Sequence, residues 1–281
     1  MGLYQFIRKN TPKELRKKLD AFTYNWSQEK WTGKKLICPC CNSRLKGFLR
    51  LQDVCDGIFY TPVTLDGVEY PVTSYETFNC DQFLCPVCSS TDRGRLYTLF
   101  IKKKIPKNLT SKFKIIHFAP DNGLREFLQK QPNIEYVSSD FNFGGVDLHL
   151  DLRDMNSISS DSLDSFICSH ILEHIVEDDL AISELFRVLK PGSWGILMAP
   201  IMLGLSKTHE DPQIKSQEDR IKAYGMEDHV RMYSKPDYIE KISKPGFIVR
   251  QIGNDYFDFP LGDYGISEKS ILYVVEKPAS L

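Results

Sequence analysis

Residues 114–123, KIIHFAPDNG, are an apolar run that ends in Pro, Asp, Asn and Gly. This order predicts a buried strand followed by a sharp turn, and residues 124–130 continue with a helical pattern. Further apolar runs predict strands at 134–139, 146–150, 165–169, 194–199, 246–252 and 270–276. Because strands alternate with helical segments, the sequence predicts an α/β protein with a doubly wound, parallel sheet of seven strands. Ligands of such sheets bind beyond the carboxyl ends of the strands.

Composition limits the class of protein to which the chain belongs. The 281 residues have a net charge of −1, which excludes a general polyanion binder. The longest apolar runs, such as 195–200, are too short to span a bilayer, and residues 1–10 lack the pattern of a secretory signal. We therefore expect a cytoplasmic protein.

The first 50 residues contain 12 basic and 3 acidic side chains. Thr11, Pro12 and Glu14 form a helix-start pattern, which predicts a basic amphipathic helical arm over residues 1–30. Two uses fit this arm. It can lie on an anionic membrane surface as a peripheral contact, or it can dock on its own domain with its lysines in water.

Seven of the eight cysteines precede residue 90, and two C-x-x-C hooks lie among them. In a chain without an export signal this clustering favours a metal over disulfides. We predict a zinc-binding unit over residues 31–92, with a β-hairpin within 60–73, and an α/β domain over 93–281. The predicted ligands are Cys38, Cys41, Cys85 and Cys88, and either Cys40 or Cys80 can replace one of them. Four thiolates leave no open position, which is typical of structural zinc.

Two segments resemble a known family. Residues 166–175, FICSHILEHI, and 185–195, LFRVLKPGSWG, are similar to class I S-adenosylmethionine-dependent methyltransferases of the type 11 group, over residues 112–281. That family has a Rossmann-like sheet. The segment CPVC (85–88), which is followed by Arg93 and Arg95, resembles a subgroup that has zinc hooks in front of the domain. The segments HFAP (117–120) and DHVRMY (228–233) resemble the same subgroup. Such proteins often accompany bacterial surface-polysaccharide synthesis.

The resemblance implies a set of cofactor contacts. The loop after the first strand would hold the methionine part of the cofactor, although it has one glycine where three are common. Asp140 would accept hydrogen bonds from both ribose hydroxyls, which suits two neutral donors on one sugar. As a competing interpretation, Asp140 is only a turn residue, and Asp147 or Asp154 can take the place of Asp151. The implied cofactor-binding residues are Ala119, Pro120, Gly123, Asp140, Asp151, Leu152, Ser169 and His170.

The long connection between the fifth and sixth strands is expected to cover the acceptor. His229 is the leading candidate for a general base, oriented by Asp228, with His170 and His209 in reserve. Arginines there can clamp an anionic group. As an alternative, the segment is a salt-bridged lid without proton transfer. The predicted substrate-binding residues are His209, Arg220, Arg231 and Tyr233.

These observations favour an S-adenosylmethionine-dependent methyltransferase that methylates a hydroxyl of a sugar, glycan intermediate or related small molecule. One alternative is an RNA methyltransferase, but residues 52–85 are not notably basic, so an extended phosphate track is missing. The other is a non-catalytic binding protein that depends on its zinc unit.

Overall fold

A computed structural model describes residues 31–55, 62–65, 67–106 and 109–279. The arm predicted for residues 1–30 lies outside these ranges. None of the described helices is both long enough and apolar enough to cross a bilayer.

The cysteine-rich region consists of short elements. Strands β1 (Thr32–Ile37) and β2 (Arg44–Leu45) pair antiparallel, and a one-turn helix α1 (Leu51–Val54) follows them. Strands β3 (Val63–Leu65) and β4 (Val68–Tyr70) form an antiparallel hairpin inside the range predicted for one. The apolar side of β3 packs against the later connection between the fifth and sixth strands of the main sheet, not against the cysteines.

Helix α2 (Asp92–Lys104) joins this region to the main sheet. The Thr91 hydroxyl accepts a hydrogen bond from the Gly94 amide at 3.1 Å, which caps the helix as its sequence position suggests. Its first ten residues are all buried, because the cysteine-rich region covers one side and the sheet the other. On the sheet side, Phe100 meets Trp194 edge to face at 5.2 Å.

The main sheet has seven strands in the described chain. They are β5 (Phe113–Phe118), β6 (Ile134–Asp140), β7 (Leu148–His149), β8 (Leu163–Ser169), β9 (Leu189–Met198), β10 (Ile248–Ile252) and β11 (Leu272–Glu276). Their spatial order is β10-β11-β9-β8-β5-β6-β7, with the first strand, β5, near the middle. This arrangement confirms a Rossmann-like seven-stranded sheet.

One strand departs from the predicted parallel arrangement. Strand β11 pairs antiparallel with both of its neighbours, β9 and β10, while the other pairs are parallel. A parallel return requires a crossover connection, usually a helix. Residues 253–271 contain only short 3₁₀ turns, so the chain returns beside β10 in the opposite direction. An apolar run predicts a strand but does not specify its direction.

Helices α3 (Asn122–Gln129) and α4 (Asp178–Val188) flank the sheet. The Asp121 carboxylate caps α3 by accepting a hydrogen bond from the Leu124 amide at 3.0 Å. Residues 199–247 connect β9 to β10 and contain helices α5 (Gln217–Tyr224) and α6 (Lys235–Ser243). This connection, which we call the insertion, reaches the carboxyl ends of the central strands.

Backbone strain marks the same edge of the sheet. Ala119 after β5 has a φ of 46°, and His170 after β8 has a φ of 55°. Residues other than glycine rarely adopt these left-handed values, and such outliers concentrate at functional sites. The strained positions therefore indicate a functional site at the ends of β5 and β8.

Candidate functional site

A cavity of about 730 Å³ lies beyond the carboxyl ends of β5, β6 and β8. Apolar side chains form most of its wall, and acidic groups and one histidine stand among them. The apolar residues include Leu150, Leu152, Ile171, Ile175 and Val176. A concave, mainly apolar site with a few directed polar groups is the usual form of a small-molecule site.

Asp140 ends strand β6 in the cavity wall and is only 7% exposed. Its Oδ1 atom accepts hydrogen bonds from the amides of Asn142 at 3.0 Å and Phe143 at 2.9 Å. Its Oδ2 atom is buried and has no hydrogen-bond partner among the described residues. An unsatisfied buried carboxylate oxygen is costly, so this atom is suited to a ligand that donates hydrogen bonds.

Asp151 and Leu152 also lie in the cavity wall. Leu152 is buried and supplies an apolar surface. The Asp151 carboxylate is held by Arg153, with the shortest contact at 2.7 Å, and this contact lowers the pKa of Asp151 below its usual range. Arg153 also pairs with Glu177 at 3.0 Å. Asp154, the alternative to Asp151, is exposed and is not among the lining residues.

One part of the loop after β5 lines the cavity, and another part packs against the cysteine-rich region. Ala119 lines the cavity, whereas Pro120 and Gly123 are not among the lining residues. A Cβ atom on Gly123 would lie 2.5 Å from Ser90 Cβ and 2.6 Å from Ser90 Cα. The glycine is therefore required where α3 meets the segment that follows Cys88. Gly123 therefore has a packing role, and its approach to a cofactor stays a prediction.

Ser169 and His170 end strand β8. The Ser169 hydroxyl lies 2.7 Å from the Tyr97 hydroxyl of α2, and burial raises the pKa of Tyr97 above its usual value. His170 Nδ1 lies 3.4 Å from Glu173 Oε1. Burial lowers the pKa of His170 to about 4, and the positive charge of Arg93 adds to this shift.

Arg93 lies close to His170 and Asp121, at the ends of β8 and β5, although it is not among the residues that line the cavity, and sequence reasoning did not assign it. It lies in the first turn of α2, is 7% exposed, and its Nε atom has no hydrogen-bond partner among the described residues. A buried guanidinium N–H without an acceptor is unfavourable and is suited to a ligand that accepts hydrogen bonds. Its position after the second cysteine hook was part of the family resemblance, and that was the available signal.

The insertion brings two predicted catalytic residues to this edge. Asp228 lines the cavity together with His174, whose Nδ1 atom lies 3.3 Å from Asp228 Oδ2. Burial opposes ionisation of Asp228, but the contact with His174 holds the pKa of that carboxyl below its usual range. His229 lies behind His174, with ring centroids 4.7 Å apart.

His229 is buried and is not among the lining residues. Its Nδ1 atom lies 3.0 Å from the Tyr224 carbonyl oxygen, so Nδ1–H donates and the lone pair of Nε2 points toward Glu173. Burial lowers the pKa of His229 to about 4. The residue that meets the cavity directly is therefore His174, which was not among the candidates for a general base that the sequence suggested.

Two predicted substrate-binding residues are placed inside the protein. Arg231 is 1% exposed, and its guanidinium donates to the carbonyl oxygens of Leu172 at 2.9 Å and Val176 at 2.8 Å. It also pairs with Glu210 at 2.7 Å. The Tyr233 hydroxyl donates to the buried carboxylate of Asp178. Neither side chain has a donor left for an acceptor molecule, and together they fix the insertion against the loop after β8.

His209 and Arg220 lie on the outer part of the insertion. The His209 ring lies against Tyr224 with centroids 5.7 Å apart, and its backbone bridges to Met232. Arg220 lies on α5, and neither residue is among those that line the cavity. The predicted anion clamp is therefore not assembled around this cavity.

The four predicted metal ligands meet at one point. Their sulfur atoms all lie within 4.8 Å of one another, with Cys38 and Cys88 3.6 Å apart and Cys41 and Cys85 3.9 Å apart. Four sulfurs bound to zinc at about 2.3 Å would be separated by about 3.8 Å in a tetrahedron. The sulfur positions therefore suit a tetrahedral ion.

Both hooks have the same turn geometry. In the first, the Asn42 amide donates to the Cys38 carbonyl at 2.8 Å, and in the second the Ser89 amide donates to the Cys85 carbonyl at 3.0 Å. Asn42 and Ser89 both have a positive φ, near 59° and 57°. This repeat indicates two equivalent turns, each of which presents two sulfurs to the same point.

The alternative ligands lie elsewhere. Cys40 Sγ lies 3.1 Å from the Thr98 hydroxyl and contacts the Gly94 carbonyl of α2. Cys80 is not part of the four-sulfur group.

Residues 122–197 match a family model described as "Methyltransferase domain" (Methyltransf_11). The matched range begins with α3 and ends in β9, and it includes Asp140, Asp151 and the loop after β8. The match supports an S-adenosylmethionine-dependent methyltransferase. No curated protein matches the sequence.

Several solved structures are similar to the chain. The CurJ carbon methyltransferase is 13% identical over 66% of this chain and 54% of its own, with a TM-score of 0.44. An S-adenosylmethionine-dependent methyltransferase from Archaeoglobus fulgidus is 19% identical over 56% of this chain and 71% of its own, with a TM-score of 0.38. The [4+2]-cyclase SpnF is 13% identical over 66% of this chain and 82% of its own, with a TM-score of 0.45.

We expect Gly123→Ala to destabilise the protein, because the added methyl would overlap Ser90 and force α3 away from the cysteine hook. Overpacking of this kind costs about 1–3 kcal/mol of unfolding free energy, measurable by urea denaturation. Gly144→Ala is the matched control, since nothing lies within 4 Å of a Cβ at that position. Equal stability of the two variants would contradict the packing role.

Proposed function

We propose that this protein is a methyltransferase that binds S-adenosylmethionine in the cavity beyond β5, β6 and β8 and transfers its methyl group to a hydroxyl oxygen. When bound, the cofactor supplies an electrophilic methyl group on a positively charged sulfur. The observation on which this proposal chiefly rests is the unpartnered Oδ2 of Asp140 in the cavity wall.

Asp140 is suited to the ribose of the cofactor for an electrostatic and a geometric reason. Two backbone amides donate to Oδ1, so the carboxylate cannot rotate freely and the direction in which Oδ2 points is fixed. An ionised carboxylate accepts hydrogen bonds from neutral hydroxyls more strongly than a neutral group does. A sugar diol supplies the donor that the described residues do not.

The apolar wall beside Asp140 is suited to the adenine ring. Leu150 and Leu152 come from the segment after β7, and Ile175 and Val176 come from the loop after β8. A flat ring between such side chains gains free energy from burial of apolar surface. Asp151 is held at the rim by Arg153, where a carboxylate oxygen can accept from the exocyclic amine.

Arg93 is suited to the carboxylate of the methionine part. Its buried guanidinium lies near His170 and Asp121, at the ends of β8 and β5. An anion bound there would gain a charge-assisted hydrogen bond from the unpartnered Nε–H.

Methyl transfer is an in-line displacement, so alignment of the acceptor contributes most, and a hydroxyl nucleophile must also lose a proton. His174 and Asp228 stand together in the cavity wall, beside the space that an acceptor would occupy. The sugar or glycan identity of the acceptor and the membrane contact of residues 1–30 stay predictions.

We further propose that Cys38, Cys41, Cys85 and Cys88 bind one structural zinc ion. Their sulfur separations and paired turns support this, and four thiolates leave no position for a substrate. Ser90 lies next to the cluster, with its hydroxyl 3.2 Å from Cys38 Sγ, and it also abuts Gly123. The ion would therefore stabilise the surface on which the cofactor loop rests.

Asp140→Asn is expected to weaken binding of S-adenosylmethionine and of its demethylated product by at least tenfold. The substitution keeps the size of the side chain but removes a charged acceptor, a loss of about 1.5–3 kcal/mol. Isothermal titration calorimetry measures the change. Asp154→Asn, at an exposed position outside the cavity wall, is the control. Unchanged affinity in Asp140→Asn would remove the main support for the proposed function.

Arg93→Gln is expected to weaken S-adenosylmethionine binding by about tenfold or more while leaving adenosine binding unchanged, because adenosine lacks the carboxylate. The same calorimetry with both ligands tests this. Arg125→Gln serves as the control, since that side chain donates to the Gly145 carbonyl on the surface. A parallel loss of adenosine binding would show that Arg93 acts through the fold and not through the carboxylate.

Cys88→Ser is expected to lose one equivalent of zinc per chain and to unfold at a lower temperature, because a structural zinc site contributes directly to folding. Elemental analysis and thermal denaturation measure both effects. Cys80→Ser is the matched control and should retain its zinc, since Cys80 lies outside the four-sulfur group. Loss of zinc from Cys80→Ser in place of Cys88→Ser would reassign the ligand.

A further inference from the structure

A second cluster of metal-ligating side chains lies at the edge of the cavity, away from the cysteines. It consists of Glu173 and His174 from the loop after β8 and His229 from the insertion. One oxygen or nitrogen atom from each residue lies within 4.8 Å of the corresponding atoms of the other two. Glu173 is fully buried, and among the described residues its Oε1 has only a long contact with His170 Nδ1, at 3.4 Å, while its Oε2 has no hydrogen-bond partner.

Both imidazoles present an acceptor atom to this carboxylate. His229 donates its Nδ1–H to the Tyr224 carbonyl oxygen, so the lone pair of its Nε2 lies toward Glu173 Oε1, 4.0 Å away. His174 has its Nδ1 3.3 Å from Asp228 Oδ2, and its Nε2 is 3.9 Å from the same Glu173 oxygen. Histidines that bind metals are usually oriented in this way, with the other ring nitrogen donating to a carbonyl or carboxylate.

This arrangement is electrostatically incomplete. Two lone pairs and a buried carboxylate converge, and buried charges of this kind require a compensating partner. His170 Nδ1, 3.4 Å from Glu173 Oε1, offers at most one donor to the two oxygens. A cation between the three atoms would satisfy all of them together.

We propose that Glu173, His174 and His229 bind a divalent transition-metal ion. Two imidazoles and one carboxylate are a ligand set that suits zinc, iron, cobalt and manganese. With metal–ligand bonds of about 2.1 Å, tetrahedral ligand atoms are about 3.4 Å apart. The two separations from Glu173, 3.9 and 4.0 Å, would therefore close by about half an ångström, a shift within the reach of small side-chain rotations.

The position of this site relates it to the proposed methyl transfer, on which this part of the inference rests. His174 and its partner Asp228 line the cavity, whereas Glu173 is enclosed behind them. An ion held by these residues would therefore lie next to the acceptor space. A metal-bound hydroxyl loses its proton more easily. The proton passes to solvent, the oxygen–methyl bond forms as the methyl–sulfur bond breaks, and the electron pair of that bond remains on sulfur.

Cobalt(II) is a suitable probe because its visible spectrum reports its ligands. The full-length protein is first loaded with zinc and then treated with a chelator until elemental analysis gives one zinc per chain, so that only the tighter four-thiolate site is occupied. On titration with Co²⁺ we expect one further equivalent to bind, with absorption bands of a nitrogen and oxygen site and without thiolate charge transfer. Equilibrium dialysis with elemental analysis gives the stoichiometry independently of activity.

His174→Gln should weaken Co²⁺ binding by at least tenfold, and because His174 is partly exposed, this variant is expected to fold. Glu173→Gln provides a second test at the buried ligand, with circular dichroism to verify its fold. His149→Gln, at an exposed histidine on β7, is the matched control and should bind Co²⁺ as the native protein does. Failure of the native protein to bind Co²⁺, or equal binding by folded His174→Gln, would overturn the site.

Calorimetry with the demethylated cofactor on the same samples separates the two proposals. Cofactor binding without Co²⁺ binding would overturn the metal site and leave the methyltransferase proposal intact. Co²⁺ binding without cofactor binding would support the metal site and contradict the methyltransferase proposal.

Discussion

The side chain of Arg95 is the interaction on which the assembly of this protein depends. It is fully buried, and its guanidinium donates only to carbonyl oxygens, which belong to Gln82, Phe83, Ser90, Tyr264 and Gly265. The Phe48 ring covers it at 3.7 Å. A buried cation that is satisfied by five separate carbonyls ties three parts of the chain to one point: the cysteine-rich region, α2 and the segment before β11.

This constraint extends to the loop after β5 through the contact between Ser90 and Gly123. With the cysteine hook fixed by Arg95, Ser90 presses against the start of α3, and Gly123 is the residue that permits the contact. The loop is therefore shaped by its neighbour as well as by its own backbone freedom. Ala119 reaches its left-handed conformation without glycine, because its amide is held by the Ser139 carbonyl at 2.8 Å.

Local patterns predicted much of this structure, and long-range contacts account for what they missed. The strands, α3 and the meeting of the two cysteine hooks follow from periodicity and spacing, which are properties of the sequence pattern. Strand β11 is antiparallel because the connection before it contains no crossover helix. The apolar runs of the sequence do not show whether a connection contains such a helix. Arg231 and Tyr233 have the composition of a binding segment, yet both are buried against Asp178, a partner more than 50 residues away in sequence.

The cluster around Glu173 depends on both a local sequence pattern and long-range contacts. The spacing of His170, Glu173 and His174 places them in one turn after β8, but their sequence alone is equally consistent with helix capping. The insertion favours metal binding over helix capping, because it adds His229 to the residues of this turn and encloses the Glu173 carboxylate. Arg231 holds the insertion in place by binding the carbonyls of this same loop. The sequence suggested Arg231 as a substrate-binding residue. In the structure it instead holds the insertion against the loop after β8, and these two segments together provide the ligands of the proposed metal site.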